Sequence, residues 1–260
     1  MNQNAAAPAH QGLTLRSDSW WALPLTVVVG LGSFIAYSTW AAFQNAHYFV
    51  APYLSPFYSP CLSKSCLHPT FGGGLPEITL PIIGVLSPAF LVLIGPLSFR
   101  LTCYYYRKAY YRSFWLAPVA CAVQDRAGYT GETRFPLILQ NLHRYTWYIA
   151  VLFIVVLTWD ALLAFRFPEG FGIGVGTIVM WINVILLAGY TFSCHSCRHL
   201  CGGCLDVFSK SPTRYRLWHV ISRLNERHPQ FAWVSLIAVG LTDLYIRLVS
   251  MGVIRDVRIL

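Results

Sequence analysis

Charge is what this chain has least of. Asp, Glu, Lys and Arg together make up 11% of its 260 residues, against roughly 25% in an ordinary soluble domain. The apolar share is 56%, gathered into charge-free runs of about twenty residues, the length that crosses a bilayer. That excludes a soluble globular fold. Acidic groups are scarcest, with 10 Asp and Glu against 19 Lys and Arg. In a membrane protein this excess marks cytoplasmic loops, lipid headgroups or a docking partner, and no nucleic acid is expected. The polar stretch 1–19 lacks a basic segment followed by a short apolar run and a cleavage site, so no signal peptide is expected. Walker, dinucleotide-fingerprint, G-x-S-x-G and H-E-x-x-H patterns are missing too, and with them the usual signatures of nucleotide and hydrolase chemistry.

What is present is an all-α pattern. Five transmembrane helices are expected at about 23–43, 78–99, 142–165, 171–192 and 231–253, making residues 1–260 a single transmembrane domain. The 100–144 and 193–230 connections carry seven and six Lys and Arg, while 44–77 and 166–170 carry one each. The positive-inside rule then puts the N-terminus in the cytoplasm and the C-terminus outside. The segment 101–123 interleaves bases and aromatics beside a span, which suits an amphipathic stretch at the membrane interface.

Residues 190–205 read Y-T-F-S-C-H-S-C-R-H-L-C-G-G-C-L, with Cys194, Cys197, Cys201, Cys204, His195 and His199 within eleven positions. Continued as a helix from the preceding span, the four cysteines would form one stripe, with the histidines on the adjacent face. Small cysteines packing a helix end is the plainer alternative. On the expected topology Cys103, Cys121 and His143 share this cytoplasmic face. Thiolates and imidazoles from several helix ends suit a closed zinc site, a Rieske-type [2Fe–2S] cluster, or a haem b held between His143 and His195. Spacing does not choose among them: C-x-H occurs at Cys197–His199 and Cys66–His68, but C-x-x-H does not occur.

Other groups carry smaller expectations. Cys61 and Cys66, in an outer loop, are expected to form a disulfide. Asp243 and Arg247, four apart in one span, are expected to pair, while Asp160 is left without a role. Arg144 and Arg198 are candidates for either a quinone carbonyl or a lipid headgroup. His219 and His228 read as isolated loop histidines in solvent or among headgroups.

Four motifs in order carry a resemblance: R-L-T-C-Y-Y-Y-R (100–107), A-C-A-V (120–123), L-Q-N-L-H-R-Y (139–145) and C-H-S-C-R-H (194–199). Together they resemble the membrane-anchor subunit of actinobacterial, mycobacterial-type succinate dehydrogenase, the branch of complex II with a membrane-embedded Rieske-type cluster. The resemblance implies a multi-pass subunit of the plasma membrane. It would pass electrons from the flavoprotein and iron–sulfur subunits to a quinone, menaquinone in this branch. It further implies Cys103 and Cys121 as thiolate ligands, with Cys194 a rival to them, and His195 with His143 or His199 as imidazole ligands. Tyr105, Tyr106, Arg107, Trp115, Arg144 and Tyr145 are the candidate lining of the quinone pocket.

Overall fold

The computed structural model describes residues 16–64, 66, 76, 79–80, 84–116, 120–121, 123, 133–135 and 137–260. Its helices, in chain order, are α1 (Ala22–Gln44), α2 (Pro88–Thr102), α3 (Tyr104–Tyr110), α4 (His143–Leu163), α5 (Val175–Phe192), α6 (His195–Gly202), α7 (Pro212–Glu226) and α8 (His228–Ser250). A π-helical turn, Tyr111–Trp115, prolongs α3, and a 3-10 stretch, Leu137–Leu142, leads into α4. Short hairpins pair Phe49–Val50 with Tyr53–Leu54, Thr79–Leu80 with Gly84–Val85, and Arg166–Phe167 with Gly170–Phe171.

Among the described residues, four helices are long and apolar enough to cross a bilayer: α1, α4 with its leading turn, α5 and α8. A fifth crossing arises only if α2 and α3 count as one span, and those two meet at 80°. This is where the fold departs most from the expected straight span at 78–99. Ile78 lies outside the described residues, as do His68 and Arg126. The helix begins only at Pro88, after the hairpin of Thr79–Leu80 with Gly84–Val85. Ser87 accepts a hydrogen bond from the Ala89 amide, and Pro88 fills the first turn, where its missing N–H removes no helical bond. With 15 residues, α2 is ~22 Å long, short of a ~30 Å hydrocarbon core.

Helix α5 packs on both α4 and α8, and α2 lies along α4. Gly95 permits that approach, since a Cβ there would meet the Phe153 ring at 2.6 Å. Helix α1 leans on α8 with most of its surface bare.

The end of the bundle away from the Cys/His-rich stretch is closed by the loop after α1. Tyr48 and Tyr58 stack at 4.0 Å, and Cys61 and Cys66 are disulfide-bonded, as expected. Asp243 and Arg247 pair at 2.7 Å with almost no exposure. Tyr37 and Ser55 hydroxyls donate to the carboxylate, and the guanidinium donates to the Ala41 and Ala46 carbonyls. The pair thus joins α8 to α1 and to the loop. Asp160 is buried and accepts from the Ser59 hydroxyl.

The chain after α8 folds back over the start of α5. The Ile173 amide donates to Leu260, and the Val175 amide to Val257. Asp256 accepts from the Tyr53 and Tyr245 hydroxyls, each at 2.6 Å, and from the Gly176 amide at 2.9 Å. A carboxylate belongs there, at the positive end of a helix. Asp256→Ala removes the acceptor for all three donors and is expected to destabilise by about 2 kcal/mol. Limited proteolysis should then clip the C-terminal tail before any loop at the other end.

Candidate metal centre

Two dipeptides, Thr102–Cys103 and Ser193–Cys194, organise the site. Each stands at the end of a helix arriving from the far end, and each breaks its helix in the same way. Cys103 has φ −64° and ψ 129°, and Cys194 has φ −66° and ψ 146°. These are extended values, incompatible with continuing a helix. The chain turns there from α2 into α3 and from α5 into α6. The Cys103 carbonyl then accepts from the Arg107 amide, and the Cys194 carbonyl from the Arg198 amide, starting the next helix in both cases.

This corrects the single cysteine stripe expected over 194–204. The break separates Cys194, which faces the bundle, from Cys197, Cys201 and Cys204 on or after α6. Cys197 is buried, Cys201 is partly so, and Cys204 is exposed.

Two histidines meet the dipeptides crosswise. His143, at the start of α4, has Nδ1 2.9 Å from the Thr102 hydroxyl and Nε2 2.9 Å from the Cys194 sulfur. His228, at the start of α8, has Nδ1 2.7 Å from the Ser193 hydroxyl and Nε2 3.4 Å from the Cys103 sulfur. Each hydroxyl therefore orients the imidazole that reaches the other dipeptide's thiol. Aromatic faces fix both rings: Phe99 stacks on His143 at 4.9 Å and Tyr190 on His228 at 5.0 Å. Cys103, Cys194 and His228 are buried, and His143 is partly so.

His228 is the residue the sequence reading misplaced. It was expected in solvent or among headgroups as an isolated loop histidine, yet it is only 8% exposed. Pro229 was the available signal: a proline at the head of an apolar run marks a helix start. Helix α8 begins at His228 rather than at 231, so the imidazole enters the bundle.

The donor set can be tested against each kind of metal group. Among the described residues, no three His, Cys, Asp or Glu side chains converge on one point as a single ion requires. The donors stand instead as two thiol–imidazole pairs. The Cys103 thiol lies within electrostatic reach of Cys194, and the His228 imidazole within reach of His143. Two thiols and two imidazoles are the donors a Rieske-type [2Fe–2S] cluster takes, two per iron. Both imidazoles present Nε2 to sulfur while Nδ1 is held by a hydroxyl, the outer support that metal-binding histidines use. The residues fit that cluster in kind and number. Burial, and next the Cys103 thiol, push the Cys194 thiol up to about 12. A metal would have to displace its proton.

The other expected ligands lie elsewhere. Cys121 is exposed, and its carbonyl accepts from Arg16. His195 is exposed on α6, within electrostatic reach of His143. His199 Nδ1 is 2.5 Å from Arg144. Arg198 bonds Ser222 and covers the Trp218 ring.

Beside the tetrad opens a cavity of about 1100 Å³. Tyr106 and Trp115 line it, together with Arg100, Tyr110, Gln140 and Tyr190. The remaining pocket candidates lie outside its lining. The Tyr105 hydroxyl accepts from Trp233, Arg107 covers Tyr104, Arg144 meets His199, and Tyr145 is exposed.

Comparison with known proteins follows the same lines. Residues 22–252 match the family model described as actinobacterial succinate dehydrogenase subunit SdhC. A chain in the structure "Mycobacterium smegmatis Sdh1 complex in the apo form" is similar at 50% identity, with a TM-score of 0.90. The alignment covers 99% of this chain and 98% of that one. No match is found among curated proteins.

Proposed function

Because this chain belongs to the family of the actinobacterial succinate dehydrogenase subunit SdhC, we propose that it anchors that complex and hands its electrons to a quinone. It is a multi-pass subunit of the plasma membrane and does not act on succinate by itself. The observation that carries the reading is the crossed Cys103–His228 and His143–Cys194 contact. These four residues are the proposed holders of a Rieske-type [2Fe–2S] cluster, with Cys194 and His228 in place of Cys121 and His195 or His199. When bound, such a cluster supplies a one-electron carrier of raised potential, because neutral imidazole replaces thiolate on one iron.

The chain's own residues do the rest. Phe99 and Tyr190 cover the imidazoles and keep water from the tetrad. The cavity takes the quinone, menaquinone by family, with its ring among Tyr106, Tyr110 and Gln140 and its tail along the apolar wall formed by Phe34 and Phe57. The buried Gln140 Oε1 has no hydrogen-bond partner among the described residues, and it is placed to accept from a quinol hydroxyl. The tetrad end faces the cytoplasm, with five crossings if the bent α2–α3 pair is one, the N-terminus inside and the C-terminus outside. There the exposed Arg214, Arg216 and Arg223 of α7 meet the iron–sulfur subunit, which the flavoprotein subunit supplies.

Metal analysis of the anchor, after the soluble subunits are stripped, tests the reading. Two iron and two acid-labile sulfide per chain are expected, with a low-field Rieske signal on reduction. One zinc and no iron, or a haem α-band, would overturn it.

A further inference from the structure

Arg100 is the one charged side chain among the described residues that line the cavity beside the tetrad. No carboxylate of the described residues pairs with it, since the ion pairs there join Arg16 to Asp18, Arg247 to Asp243 and Arg258 to Glu169. Its Nη1 donates to the Tyr106 hydroxyl at 2.6 Å and to the Ala232 carbonyl at 3.2 Å, and its Nη2 to the Ser235 hydroxyl at 3.0 Å. The Tyr190 and Tyr106 ring centroids lie 4.6 and 5.5 Å from the guanidinium carbon. All of these partners are neutral. A guanidinium has five N–H donors, so the Nε donor and one on Nη2 have no partner among the described residues. Tyr190, on the same lining, is 1% exposed, and its hydroxyl has no hydrogen-bond partner among them either. A cation without a counter-charge in an apolar, membrane-embedded site is costly. Methionine would fill that space without the cost, so packing does not account for the charge.

We propose that Arg100 makes this cavity a site for an anionic oxygen, so that it takes an ionised hydroxyquinone in preference to a neutral quinone of the same shape. The proposal rests on the cavity being the quinone site and names the ligand charge that the site selects. Hydrogen bonds from a guanidinium to an anionic oxygen are about twice as strong as neutral ones. Apolar walls screen the attraction far less than water does. The same cation suits turnover. A quinone takes two electrons, handed on from the iron–sulfur subunit, and two protons from water to become quinol. Its oxygens carry negative charge whenever an electron precedes its proton, and a cation already fixed in place meets that charge without reorganising.

The test uses the whole oxidised complex, without succinate, and equilibrium dialysis of two probes. One is 2-hydroxy-1,4-naphthoquinone, an anion at neutral pH; the other is its methyl ether, which is neutral. The anion should bind about tenfold tighter than the ether, the margin of a charge-assisted bond over a neutral one. Arg100→Gln should remove that preference and leave ether binding unchanged. Equal affinity for the two probes in the unmutated complex overturns the proposal, and so does a preference that survives in Arg100→Gln. Loss of both probes alike in that variant also overturns it, since Arg100 would then shape the cavity by holding α2 against α8. Should Arg100→Gln fail to assemble, an electron cryo-microscopy map of the unmutated complex with the hydroxyquinone decides. An ionised oxygen against the guanidinium supports the proposal, and one placed anywhere else overturns it. An ether that does not bind, or that a menaquinone analogue does not displace, sinks the quinone site along with the proposal.

Discussion

His228→Ala and Cys194→Ala are each expected to release the iron from the anchor, whereas Cys121→Ala and His199→Ala keep it. The geometry makes the distinction sharp. His228 and Cys194 each occupy one arm of the crossed tetrad, and losing one of the four proposed ligands would leave an iron open. Cys121 is exposed, and His199 answers Arg144. Iron per chain in the purified complex should fall from two toward zero for the first pair and stay within error for the second. Succinate:quinone activity should follow the iron, while succinate oxidation by a soluble acceptor should persist in all four. Iron retained in His228→Ala would return His195 to the ligand set.

Arg247→Met is expected to be the most destabilising single change away from the tetrad, by about 3–5 kcal/mol, because it strands a buried carboxylate. Asp243 would keep its two hydroxyl donors, Tyr37 and Ser55, but no cation. The reciprocal Asp243→Leu leaves a buried guanidinium with two carbonyls and should be nearly as harmful. The double replacement should recover most of the loss, since apolar groups of similar volume often replace a buried pair without penalty. Thermal unfolding in detergent reads all three. If the double variant were as unstable as either single, the ion pair would be contributing more than its own neutralisation.

Much of this was legible in the sequence, and the reasons differ by element. Helices α1 and α5 announce themselves because about twenty apolar residues without charge have few other places to go, and α8 because its apolar run holds only one charge pair. The disulfide was legible from five-residue spacing in a loop expected outside, and the Asp243–Arg247 pair from helical spacing in an apolar run. The second span was not, because hydropathy does not distinguish a hairpin of apolar residues from a helix. Only Ser87–Pro88 marks the real start. The tetrad was half legible. Cys103 and His143 stand at span ends, where the loop charges direct attention. Cys194 stood only as a rival to Cys121, because treating 190–205 as one helix put it in register with three cysteines that face elsewhere. His228 was hidden because it has no partner nearby in sequence: Cys103 lies 125 residues away. Contacts that distant follow from packing, which a local pattern does not encode.

Helix α8 is pinned at the end opposite His228 by Arg247, which bonds the Ala41 carbonyl in α1 and the Ala46 carbonyl in the loop after it, and by the Asp256 latch just beyond it. A rod of 23 residues measures ~34 Å and hardly stretches. The depth at which His228 arrives is thus gauged from the other side of the bundle, by groups that never approach the proposed cluster site. Substitutions around Arg247 or Asp256 would then shift the His228 imidazole against Cys103 a whole helix away by letting that rod slide.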